Sequence, residues 1–232
     1  RPGRELLARY IRYSTPVVLN ETLWGLGTTV MTAILGHMAD SADMLAAYTI
    51  MGNVDKFTTV SCFGLAGATA VILGKSIGEG ASRDRVYDLS WCLLIVSFLL
   101  GLILAGLLAV ALPTLFIPYL YPLFSLSPLA TRAAVMLCVV YLILLPLKSF
   151  DISNITGVLR AGGDVRMATV IDLTPLWGVA VPVSALAALV FDAPLPVVCL
   201  GIYSENLCKM PWGIHRLRSR KWINDVTRRD AS

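Results

Sequence analysis

Six apolar runs, each long enough to cross a bilayer, leave this chain few options. They occupy 16–38, 45–77, 89–112, 133–158, 167–190 and 195–214, and a hydrocarbon core needs roughly 20 helical residues. In lipid every backbone N–H and C=O must be satisfied within its own segment or in a closed barrel. Runs of this length therefore predict an all-α integral membrane protein of six transmembrane helices. Composition agrees, with 56% hydrophobic and 15% charged residues, where soluble domains carry about 25% charged. The second run is too long for one straight crossing and predicts a tilted helix, or a looser turn before Gly52. The third contains no charged residue and is the candidate for the most lipid-exposed helix.

The basic residues orient the bundle. Lys75, Arg83 and Arg85 lie between runs two and three, Arg160 and Arg166 between four and five, and Arg216, Arg218, Arg220, Lys221, Arg228 and Arg229 after six. Connections 37–44, 113–131 and 191–194 contain no Lys or Arg. The positive-inside rule then predicts a multi-pass protein of the cell (inner or plasma) membrane with both termini cytoplasmic. The net charge of +4 is spread over these connections and forms no nucleic-acid patch, so membrane lipid is the expected surrounding partner. Residues 1–14 alternate basic and apolar, as an amphipathic cytoplasmic linker or an ordinary one. Residues 15–215 form the bundle and 216–232 a basic cytoplasmic tail. Pro113 to Pro128, rich in Pro and aromatics, predicts an irregular element at the outer interface. The chain opens on Arg1 rather than Met, which fits a fragment.

Charges inside the runs are the functional candidates, because an unpaired carboxylate at mid-depth costs about 2.5–3.5 kcal/mol or more. Glu21, beside Asn20, shares a helical face with Gly25, Thr28, Thr32 and Gly36. It reads as a coupling acid or as half of a structural ion pair. Asp55 and Lys56 are adjacent and point about 100° apart, so Lys56 is expected to meet an acid from another helix, such as Glu21. Lys148 and Asp151 stand three apart with Asn154 next on the face, and either neutralise each other or serve a site. Asp172 lies one turn inside its run, as a site residue or a partner for Arg160 or Arg166. Glu205 and Lys209, four apart in the favoured acid-first order, read as a self-neutralising pair. The candidate cation or substrate residues are thus Glu21, Asn20, Asp55, Lys56, Asp151, Asn154 and Asp172, with Glu21 the candidate Na⁺ ligand.

Other chemistry finds little support. Cys62, Cys92, Cys138, Cys199 and Cys208 lie inside apolar runs without a CxxC pair and read as packing residues. His37 and His215 stand alone. Gly74-Lys75-Ser76 lacks the first glycine of a P-loop, since position 69 is Thr69. No enzyme and no cofactor is expected. Ala66, Ala70, Gly74 and Gly78 recur every fourth residue, a ribbon suited to close helix packing.

Several stretches resemble the multidrug and toxic compound extrusion (MATE) family: Pro16 to Gly27, Phe63 to Ala68 with Gly74 and Gly78, Gly157 to Asp164, Asp172 to Pro182, and Ser219 to Ile223. The resemblance covers the second half of that architecture, one six-helix lobe of a twelve-helix transporter. It implies a secondary antiporter that exports organic cations or amphipathic compounds in exchange for Na⁺ or H⁺. Its partner is the missing N-terminal six-helix lobe, in the same or a second chain. It also implies a cation-coupling role for Glu21, and for an acid of the fourth run, where Asp151 lies. A lipid-linked saccharide flippase of a related fold and a non-transporting scaffold are the alternatives.

Overall fold

The computed structural model describes residues 3–224. Residues 1–2 and 225–232 lie outside the described residues, and with them Arg228 and Arg229 of the expected basic tail. Six long helices form in the expected order: α1 (Arg4–Gly36), α2 (Ser41–Gly78), α3 (Arg83–Leu123), α4 (Pro128–Leu159), α5 (Val165–Val190) and α6 (Leu195–Arg218). Local chemistry sets several ends. Ser82 and Ser127 each accept a hydrogen bond from the backbone three residues on, and Pro128 occupies the first turn of α4. Gly163 reverses the chain between α4 and α5 at φ 81°, a conformation that costs a glycine nothing.

Among the described residues, four of these helices, α2 to α5, are by length and composition apolar enough to cross a membrane. The first and last fall short of the expected six. Asn20, Glu21 and a series of threonines interrupt α1, and Glu205, Asn206 and Lys209 interrupt α6.

Helix α4 is the hub. Half of its most apolar stretch is buried, against 28% for α2 and α3 and 33% for α5. Small residues let its neighbours approach. A Cβ on Gly101 of α3 would stand 2.6 Å from the Pro146 Cα, and one on Gly157 would stand 2.9 Å from the Ala66 carbonyl of α2. The small-residue ribbon of α2 is used only in part, since Gly74 and Gly78 face open space. The outer face of α3 exposes Ile95, Leu99, Leu102, Ile103, Leu107 and Val110, though α2 is no more buried than α3.

Two apolar cores result. One gathers Leu35, Met51, Leu137, Tyr141, Leu145 and Val198; the other gathers Leu73, Leu94, Val158, Ile171, Leu217 and Trp222. Asp55 on α2, Lys148 on α4, Asp172 on α5, and Glu205 and Lys209 on α6 fall between these two blocks, and Asp151 lies at the edge of the second. The fold is thus a polar layer held between two dry ones.

Three expectations are corrected or narrowed. Residues 113–123 are helical rather than irregular: α3 continues through Leu112–Leu120 in wide π-type turns and ends at Leu123, and only 124–127 form an irregular turn. Of the two alternatives for α2, the looser turn before Gly52 is absent, and the continuous helix leaves the tilted one. Cys92 and Cys208 are exposed rather than packed, while Cys62, Cys138 and Cys199 are buried. Further π-type turns occupy Ser153–Leu159, Leu176–Ala180 and Leu186–Val190, the latter two shortly after Pro175 and Pro182.

Past α6 the chain folds back. Trp222 is fully buried, its Nε1 donates to the Leu217 carbonyl at 3.1 Å, and the Asn224 amide donates to the Gly162 carbonyl at 2.9 Å. Arg216 donates to Asp164 at 2.6 Å. Arg220 pairs with Asp84 and lies 4.3 Å from the Tyr87 ring centroid. The start of the tail is part of the bundle.

Candidate functional site

The polar layer opens into a cavity of about 260 Å³ reached by every helix except α3. Its charged lining comprises Glu21 from α1, Asp55 from α2, Lys148 and Asp151 from α4, Arg160 at the end of α4, Asp172 from α5, and Glu205 and Lys209 from α6. Five carboxylates face three basic groups. In their ionised forms they leave a surplus of two negative charges.

The pairing differs from the order along the chain. Lys148 reaches across to Asp55 rather than to Asp151, and its ammonium lies 5.2 Å from the Tyr141 ring centroid. Thr59 donates to the same Asp55 oxygen at 3.0 Å, while Thr58 hydrogen-bonds the Tyr141 hydroxyl. Asp172 does not meet Arg160 or Arg166. Its Oδ1 lies 2.8 Å from the Lys209 ammonium and its Oδ2 accepts from Asn20 Nδ2 at 2.8 Å. Glu205 Oε2 lies 3.1 Å from the same ammonium, as its spacing predicted, though out of line for a hydrogen bond. Arg160, expected in a cytoplasmic loop, turns its guanidinium to Glu21 at 3.1 Å.

Lys56 is displaced from its expected place. It is exposed on the other side of α2, makes no ion pair among the described residues, and does not line the cavity. The reason is angular: Asp55 turns to α4, which carries its neighbour outward. Glu21 does line the cavity, but its side chain is 58% exposed and engaged by Arg160. Among the described residues, no three His, Cys, Asp or Glu side chains converge as a metal site.

Asp151 is the exception. It is 3% exposed, and neither carboxylate oxygen has a hydrogen-bond partner. Asn154, one turn on, is fully buried with both amide atoms unpartnered, packed where a Cβ on Gly213 would come within 2.6 Å of its nitrogen. Asn20 Oδ1 is also buried without a partner. Buried polar groups are nearly always satisfied, so each exception calls for a reason. Asn154 also sits in the π-type stretch of α4, a distortion frequent at functional positions.

The sequence missed the cross-helix pairs. Arg160 reads from sequence as a topology marker or a partner for Asp172, not for Glu21, and Lys148 and Lys209 as partners for acids on their own helices. The available signal was the excess of acids over bases within the runs.

The bundle carries a charged cavity between two apolar cores, an arrangement that suits a membrane transporter lobe. The MatE family model matches residues 16–186, and the chain belongs to that family of transporters. It is 24% identical over 220 residues to the uncharacterized transporter YisQ of Bacillus subtilis, covering 95% of this chain and 46% of that protein. It is 25% identical over 185 residues to the probable multidrug resistance protein YoeA of the same organism, covering 78% and 37%.

Solved structures share the fold. One is an outward-facing multidrug resistance MATE family transporter of the MOP superfamily, with TM-score 0.79 and 16% identity, covering 97% of this chain and 49% of that one. Another is a MOP superfamily transporter from Pyrococcus furiosus, with TM-score 0.78 and 18% identity, covering 95% and 49%. The chain spans about half the length of the relatives it matches, or less.

Proposed function

We propose that this chain supplies one lobe of a secondary antiporter that exports organic cations or amphipathic compounds in exchange for Na⁺ or H⁺. The observation that carries the reading is Asp151, buried with both oxygens unpartnered in a cavity holding two more acids than bases. A buried carboxylate without a counter-ion is costly enough that it takes up a proton or a cation. That need is the chemistry a coupling site uses.

Asp151 binds the ion; Asn154 and Asn20, also buried with unpartnered amide oxygens, do not line the cavity. Glu21, released from Arg160, is the second acid exposed to the cavity. Cargo binds between this lobe and a second six-helix lobe of the kind the longer relatives have length for, and the lobes rock about it. The protein sits in the cell membrane with both ends of the lobe cytoplasmic, a reading supported by the basic connections. The acid surplus disfavours a lipid-linked saccharide flippase, whose pyrophosphate headgroup needs a basic cavity.

The test is efflux of an organic cation dye from liposomes holding the full-length protein, with a Na⁺ or H⁺ gradient imposed separately. Asp151→Asn and Glu21→Gln keep size and hydrogen bonding while removing the charge. Asp151→Asn is expected to abolish gradient-driven efflux, and Glu21→Gln to reduce it at least tenfold, with insertion intact. Wild-type efflux from Asp151→Asn would refute the assignment.

A further inference from the structure

The three acids on α4, α5 and α6 have one cation of their own, and its placement is specific. Lys209 is 5% exposed, and its ammonium lies 2.8 Å from Asp172 and 3.1 Å from Glu205. Asp172 is fixed from its other side by Asn20, and Glu205 sits one helical turn before Lys209. Asp151 opens on the same cavity but receives no hydrogen bond.

The remaining charges are engaged elsewhere: Asp55 with Lys148, and Glu21 with Arg160. The local set of Asp151, Asp172, Glu205 and Lys209 therefore holds the whole surplus of two negative charges. An ammonium carries three donors on a flexible stem and is a compact point charge. In a cavity walled by apolar cores its field is screened far less than in water.

We propose that Lys209 is the resident cation of this site: shared between Asp172 and Glu205, it offsets one of their two charges and sets how tightly the cavity holds the transported monovalent cation at Asp151. The inference rests on the cation coupling proposed above and assigns affinity to a residue outside the ion's own ligands. A cavity with three acids and no internal cation would hold an incoming ion too firmly to release it. One with the charges fully matched would not take the ion up. Lys209 sets the balance between those limits.

The experiment is cation binding to the full-length protein in nanodiscs, read from the fluorescence of Trp24, which lines the cavity. NaCl is titrated against a choline background, and protons are titrated in choline alone. Groups that titrate or bear charge around Lys209 are Asp172 on α5, Asp151, Lys148 and Arg160 on and at the end of α4, Glu205 on α6, Asp55 and Tyr48 on α2, Glu21 on α1, and Tyr203 on α6.

For Lys209→Gln the half-saturating Na⁺ concentration is expected to fall at least tenfold; if the proton is the ion, the midpoint rises by at least one pH unit. Lys209→Arg, which keeps the charge, stays within threefold of wild type. Glu205→Gln frees Lys209 to bear on Asp151 and weakens binding at least threefold, a test that survives if Lys209→Gln does not fold. Unchanged or weaker binding in Lys209→Gln, or unchanged binding in Glu205→Gln, overturns the inference while leaving cation coupling intact. A wild-type protein that responds to neither Na⁺ nor protons overturns cation coupling, and this inference with it.

Discussion

Trp222→Ala tests whether the folded-back tail holds the C-terminal end of the lobe together. The indole is among the largest fully buried side chains in the chain. It stands against Gly162 so closely that a Cβ on that glycine would meet the ring at 2.4 Å. It also makes one hydrogen bond, to Leu217. Truncating a buried Trp to Ala costs about 3–5 kcal/mol, of which the hydrogen bond accounts for roughly 1 kcal/mol. For 150–250 residues each kcal/mol moves Tm by about 2–4 °C, so the midpoint in detergent should fall on the order of 10 °C. Thermal unfolding followed by tryptophan fluorescence or by loss of monodisperse protein reads this directly. Trp222→Phe keeps most of the packing and should lose roughly a third as much. Phe57→Ala, at a side chain 83% exposed on α2, should leave the midpoint unchanged. A Trp222→Ala midpoint within about 2 °C of wild type, less than 1 kcal/mol by the same conversion, would show that the tail contributes nothing and refute the reasoning.

Two further outcomes are expected. Asp55→Asn strands the Lys148 ammonium in the bundle and should cost about 3–5 kcal/mol of stability, whereas Asp55→Asn combined with Lys148→Met should recover most of it; equal losses in the single and double variants would mean the pair is not coupled. In a background where the five cysteines are replaced, a cysteine at the exposed Ala39 should react with an impermeant thiol reagent added outside cells, and one at the exposed Glu79 should not; the reverse pattern would invert the lobe.

What was legible in the sequence follows from what each signal measures. Apolar length locates a helix because backbone satisfaction in lipid is a local requirement, and all six helices formed near their expected positions. The same logic misjudged Pro113 to Leu123. Proline punctuation reads as a break, yet a wide π-type turn lets the helix pass Pro113 and Pro118 with their missing donors accommodated. The site was legible as a set of residue types, since a charge within a span needs a reason. It was not legible as a set of pairs. Spacing of three or four residues brings groups together on one helix, but Lys148 and Asp151 share a face without meeting, because Asp55 on α2 lies closer to the ammonium. Lys209 made its expected contact with Glu205 and a second one with Asp172 that spacing cannot show. Partner choice in a bundle depends on helix rotation, which packing at contacts such as Gly101–Pro146 and Gly157–Ala66 decides.

The distribution of charge has a structural logic that a bare count of spans conceals. Every helix but α3 sends a charged group to the cavity, and α3 is the helix whose apolar run carries no charge. Its inward face meets α4 through Ser97 and Gly101. Ser97 Oγ donates to Ser153 Oγ at 2.7 Å, and Ser149 Oγ donates to the Ser97 carbonyl at 2.7 Å. These neutral bonds tie α3 to the hub without adding to the acid surplus. Division of labour explains why α1 and α6 are too polar to pass as spans by composition. They carry Asn20, Glu21, Glu205 and Lys209, which stay in the bundle only because partners on α4, α5 and α6 itself compensate them. Such helices are stable in place and poor membrane segments alone. Their insertion therefore depends on the apolar helices α2 to α5 being present to receive them, since an unpartnered charge at mid-depth costs about 2.5–3.5 kcal/mol or more.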